Sequence, residues 1–151
     1  MKKFVLLGIL VAAMLVPAAG LAGSASTPKP ESMIKQLLTY DSLGQYGRAW
    51  DLLHPGQQKL VSRDKFVGCQ QANSPSFDLV SFKVLDKYRD PIHAAGVPQH
   101  TSVAVTVRVS FRMNGKTKTV NDTMHAVWTG TRWAAVLAPE DIATYKAGDC
   151  P

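Results

Sequence analysis

The carboxylate whose position points to chemistry is Asp122. Residues 102–113 place an apolar side chain at every odd position, and the even positions are polar or small. That period of two is what a half-buried antiparallel strand requires. Asn114-Gly115 follows at once, the pair best suited to the positive φ angles of a two-residue type I′ hairpin. Such a loop sets Met113 opposite Lys116, so that Val109 faces Val120, Val105 faces Met124 and Val103 faces Ala126. Val107 then faces Asp122. Opposed residues share a face of the sheet, so this register sends a carboxylate toward the apolar interior. Its pKa would rise there, and it could serve as a general acid or base. A β-bulge near Asn121-Asp122 would turn it outward instead. Spacing specifies no second catalytic residue: Tyr46 and Tyr88 could lie nearby, while His125 alternates onto the opposite face.

The other reactive residue types point to structure. Cys69 and Cys150 are the only cysteines, and in an exported chain two cysteines most often pair. The expected bond ties the C-terminal tail to a helix. Ser62-Arg63-Asp64-Lys65 fits the S-x-x-K string of β-lactamases, but the S-D-N and K-T-G partners are absent. Ser62 therefore reads as a helix N-cap. His54, His93, His100 and His125 lack the paired spacing of zinc ligands, so neither a metal nor a cofactor is expected. His54, before Pro55, reads as a helix-end cap. Asn121-Asp122-Thr123 fits the glycosylation string at a mid-strand position. Alternation puts Lys83, Lys87, Arg108 and Arg112 on the outward face of the sheet, a basic surface able to meet an acidic envelope polymer or simply to stay solvated.

These residues need elements to hold them. Met33, Ile34, Leu37 and Leu38 recur at helical spacing within 31–40, and Tyr46, Ala49, Trp50 and Leu53 within 45–53. His54-Pro55-Gly56 ends the second helix. A short helical turn over 57–61 and a helix from Ser62 to Gln71 follow. From Phe77 the period becomes alternating, with Val80, Phe82 and Val84 on one face and Ser81, Lys83 and Lys87 on the other. Residues 90–101, carrying Pro91, Gly96 and Pro98, read as an irregular crossover and mobile lip. The hairpin comes next. A turn at 129–132 leads into 133–137, where Trp133 would face Trp128, Ala135 face Ala126 and Leu137 face Met124. A short helix opens at Ala138-Pro139.

Helices followed by about four antiparallel strands make an α+β domain, and 151 residues is the length of one such domain. Its N-terminus reads as a signal peptide over 1–22. Lys2-Lys3 precedes an apolar run over 4–16 broken by Pro17, and Gly20-Leu21-Ala22 offers small residues at a cleavage site. An uncleaved membrane anchor is the alternative, because 4–22 carries no charge. Residues 23–30 form a flexible leader. Cleavage takes the 17 Lys and Arg down by two against 11 acids, leaving a net charge of +4. So mild an excess, outside the cytoplasm, excludes nucleic acid as the expected partner. The location expected is periplasmic or extracellular.

Tyr46-Gly47-Arg48-Ala49-Trp50-Asp51-Leu52-Leu53-His54-Pro55 after a first helix, and Trp128-Thr129-Gly130-Thr131-Arg132-Trp133 within the strands, resemble the nuclear transport factor 2-like superfamily. The likeness is to its exported bacterial members and covers residues 31–151. It implies a cone in which N-terminal helices and a strongly curved sheet enclose a pocket, here lined by Trp50, Val107, Met124 and Trp128. The superfamily includes isomerases, dehydratases, hydrolases and domains without chemistry, and fold does not choose among them. The function expected first is a non-enzymatic module binding a small ligand or a cell-envelope component. The second is a pocket enzyme that uses Asp122.

Overall fold

The computed structural model describes residues 28–73, 77–98 and 100–151. The expected signal segment lies outside the described residues. Of the expected leader only 28–30 is described, and Pro30 already opens a helix.

Among the described residues the fold is α+β, with five helices and one four-stranded antiparallel sheet. The order is α1 (Pro30–Ser42), α2 (Tyr46–Asp51), α3 (Pro55–Gln58), α4 (Arg63–Asn73), β1 (Asp78–Ile92), β2 (His100–Met113), β3 (Lys116–Trp128), β4 (Trp133–Ala135) and α5 (Pro139–Ala147). The strands lie in sequence order, β1-β2-β3-β4. Pro30 and Glu31 give α1 a favourable first turn. Its stripe of Met33, Ile34 and Leu37 is buried in one cluster with Val105, Val107, Val109 and Ala126 of the sheet. Odd positions of β2 thus supply the floor of the core, as the alternation predicts. Ser62 Oγ accepts the N–H of Lys65 at 3.3 Å, the expected cap of α4.

The β2–β3 register is the one read from the turn: Met113 pairs with Lys116, Val107 with Asp122 and Val103 with Ala126. Asn114 and Gly115 take φ of 51° and 73°, the left-handed geometry of the type I′ turn. Trp128 pairs with Trp133 and Ala126 with Ala135. The ladder ends there, and Leu137 turns from Met124 to Gln57.

β1 departs from simple alternation. Its register against β2 slips between Leu79 and Ser81 and again between Val84 and Asp86, so Val80 and Leu85 are the extra residues of two bulges. Both are exposed. Leu79 takes the inward place expected of Val80, opposite Phe111, and Phe82 and Val84 keep theirs. Beyond the second bulge the faces exchange. Lys87 stands opposite Val105, on the helix side, and its Nζ donates to Glu31 Oε1 at 2.9 Å. Lys87 therefore does not belong to the outward basic face. Burial pushes the Glu31 carboxyl up, yet the hydrogen bond and charge of Lys87 carry it below the usual range.

The long crossover expected over 90–101 is also corrected. β1 runs to Ile92 and β2 starts at His100, so strand pairing takes up both ends of that stretch and leaves 93–98 as its described turn. Ala94 and Val97 pack it on Val127, and Gly96, at φ +78°, sets its backbone directly against Gly56 of α3.

Beyond the short β4 the edge of the sheet is closed by the α2–α3 junction. The N–H of Ala135 donates to the Leu52 carbonyl and the N–H of His54 to the Ala135 carbonyl, each at 2.9 Å. Arg132 donates to the carbonyls of Leu52 and Leu53 at 3.2 and 3.1 Å. The fully buried Gln57 then acts as a fragment of strand. Its Oε1 accepts the Leu137 N–H at 2.8 Å and its Nε2 donates to the Leu137 carbonyl at 3.1 Å. A disulfide joins Cys69 of α4 to Cys150 across 81 positions. Lys65 Nζ donates to the Gly148 carbonyl, holding the same tail. Among the described residues no helix is long and apolar enough to cross a membrane.

Candidate functional site

A cleft of about 480 Å³ opens between α1, the middle of β3 and the segment that leads from β4 into α5. Its base is apolar and mostly buried: Ile34, Leu37, Leu53, Met124, Ala135 and Leu137. Helical spacing on α1 and alternation on β3 and β4 aim these side chains at the same space. Its mouth is acidic, with Asp122 from β3 and Glu140 and Asp141 from the first turn of α5. Burial raises the Asp141 carboxyl above the ordinary range, and the neighbouring charge of Glu140 adds to this. A second, apolar groove of about 320 Å³ adjoins it, running past Leu38, Val109, Phe111 and Val120 and meeting the cleft at Asp122.

Asp122 keeps the register read from the sequence, with no bulge beside it, yet it is exposed. The reason lies in element length. The eight residues Lys116–Thr123 of β3 are all exposed, because no described helix covers that half of the strand. The side chain that alternation aims inward therefore reaches solvent at the lip of the cleft. Its Oδ1 accepts the N–H of Thr123 at 2.8 Å. The apolar enclosure expected around it is absent.

Of the expected pocket residues, Met124 lines the cleft. Val107 is fully buried beneath it in the core. Trp50 packs against the core, held by its Nε1–H bond to the Val61 carbonyl, 2.9 Å, and does not line the cleft. Trp128 stands at the end of β3, edge-on to Trp133 with ring centroids 5.5 Å apart. These four residues do not share one cavity. On the outward face, Lys83 and Arg108 lie opposite each other and Arg112 lies further along β2, all exposed. Arg108 Nε donates to Asn121 Oδ1 at 3.1 Å. This face is a cross-strand polar ladder, continued by Thr106–Thr123 and Ser110–Thr119 hydroxyl contacts at 3.0 and 2.9 Å.

Two ionisable features escape sequence reading. His125 Nε2 lies 2.8 Å from Asp90 Oδ2, spanning from β3 to β1 over β2. The fully buried Ala104 and Ser102 between them leave the room. Only the second β1 bulge brings Asp90 to that face, and bulges carry no composition signal. The second is Asp41 in the last turn of α1, whose buried Oδ1 has no hydrogen-bond partner. Burial raises its pKa to about 6. Its signal is faint: an acid at a helix C-terminus, where the dipole disfavours it. Among the described residues no group of three or more His, Cys, Asp or Glu side chains is placed to hold a metal ion. No protein-family model matches the chain, and no curated protein matches it.

Proposed function

We propose that the protein is an exported, non-enzymatic binding module of the nuclear transport factor 2-like kind, and that its ligand is a small apolar molecule bearing a cationic group. In this reading the sheet is bent toward a cone, a curvature that the two β1 bulges favour. The leading observation is the cleft: an apolar base large enough for a small molecule, with carboxylates at its mouth. Those acids stand out on a chain with 17 basic residues against 11 acidic ones. The apolar run behind Lys2-Lys3 and the Cys69–Cys150 bond support export to the periplasm or cell exterior. A nucleophile or acid–base pair converging on the cleft would favour the enzymatic alternative. Asp122 is instead solvated and engaged with its own neighbour's N–H.

The test uses octylamine and octanoate as matched probes, read by calorimetry. Octylamine is expected to bind at neutral pH, and octanoate about ten-fold more weakly or not at all. Met124→Trp, which fills the cleft, should abolish binding, and Glu140→Gln with Asp141→Asn should remove the preference for the amine. Equal binding of the two probes, or binding untouched by Met124→Trp, would sink the reading. Native mass spectrometry of protein from its own host would show the physiological ligand as an added mass.

A further inference from the structure

The free edge of β3 supplies a second site. Met113 and Lys116 close the type I′ turn as a hydrogen-bonded pair. Even-numbered residues of β3 therefore turn their N–H and C=O toward β2, and odd-numbered ones turn theirs to the opposite edge. Near the end of the strand that edge is occupied: the Val136 N–H bonds to the His125 carbonyl at 3.2 Å, and β4 follows. The next outward N–H, that of Thr123, is taken by Asp122. Upstream, Thr117, Thr119 and Asn121 turn their backbone groups outward with no strand beside them among the described residues. Unlike β1, this stretch is free of bulges against β2. Val120, 44% exposed, stands on its helix side beside the apolar groove.

We propose that this edge pairs with the same edge of a second copy of the chain, antiparallel, about a two-fold axis at Thr119. Thr119 then faces Thr119 of the second copy, and Thr117 faces its Asn121. These are the outward-bonding residues, and about six new backbone hydrogen bonds result. The register is set by charge and by space. It puts Lys116 opposite Asp122 of the second copy, twice, and Lys118 opposite Val120. Asp122 can keep its Thr123 bond on one oxygen and offer the other. A shift placing the axis at Lys118 would oppose like charges. A shift to Val120 would push the second copy's Asn114-Gly115 turn into the place beside His125 that Val136 already holds. The joined sheet has eight strands, and the second copy's β3 walls the apolar groove at Val120.

Sedimentation velocity on the purified protein, disulfide intact, tests this. A dimer fraction rising with concentration is expected. Thr119→Pro deletes an N–H that points away from β2, so the single chain should keep its circular dichroism and melting curve while dimerisation is lost. Lys116→Asp should weaken the dimer about ten-fold, and adding Asp122→Lys should restore it. A chain that stays monomeric near millimolar concentration, or a Thr119→Pro variant that dimerises like the parent, would overturn the proposal. Should Thr119→Pro not fold, failure of the charge exchange to rescue would overturn it equally. None of these readouts depends on a ligand in the cleft.

Discussion

Asp41 shows how one side chain can hold a pH dependence. Its carboxyl is buried at the C-terminal end of α1, with Oδ1 unbonded, and its pKa is raised from 3.8 to about 6. The folded state thus binds this proton more tightly than the unfolded state. The resulting stabilisation is complete below pH 3.8 and is lost as pH rises through about 6. At neutral pH the ionised group destabilises the fold by about 3 kcal/mol. Asp41→Asn should therefore stabilise the protein by roughly that amount at neutral pH, and the gain should vanish near pH 3.8. Urea denaturation across that range checks it; a gain that does not change with pH would refute it. Gln57 is the opposite case, a buried polar group fully used. Gln57→Leu keeps the volume but strands both backbone groups of Leu137, and should cost about 2–4 kcal/mol by the same measurement. Neither role is legible in the sequence. Gln57 finds its partner 80 positions away, and Asp41 looks like any polar residue near a helix end.

Among the elements, what could be read is what neighbouring residues determine. Asn114-Gly115 fixes the β2–β3 register locally, so the pairing of Val107 with Asp122 follows from the turn alone. Burial does not follow, because it depends on how far the helices reach. β1 is only partly legible, since the residue inserted at Leu85 shifts Lys87 onto the helix side and Asp90 beside His125. The 93–98 turn misleads for a related reason. Its Gly and Pro content resembles a loose lip, whereas Gly96 is there for close packing. A Cβ on Gly96 would lie 2.6 Å from the Gly56 carbonyl oxygen at a φ of +78°, and one on Gly56 would strike the Gly96 carbonyl. Gly96→Ala and Gly56→Ala should each destabilise by about 1–3 kcal/mol. Hydrogen exchange should report the change first at Ala94 and Val97. If both variants melt with the parent, the turn does not dock as described.

At the scale of the molecule, α+β class, strand order and the cysteine pair are readable from periodicity and counting. The cleft is not, because Ile34, Met124, Leu137 and Glu140 come from four parts of the chain and meet only through tertiary packing. The disulfide closes a loop of 81 positions, for which chain entropy gives about 4.5 kcal/mol. Replacing both cysteines with serine should lower the urea-extrapolated stability by up to that amount, the tail beyond Gly148 loosening first. That bond has one more outcome. All four strands and α5 lie between its two cysteines, so a protease cutting at the tip of any hairpin leaves both pieces covalently joined. A nicked molecule would migrate as one band on a non-reducing gel and fall into two fragments only after a thiol is added, so the damage would stay hidden until the protein met a reductant.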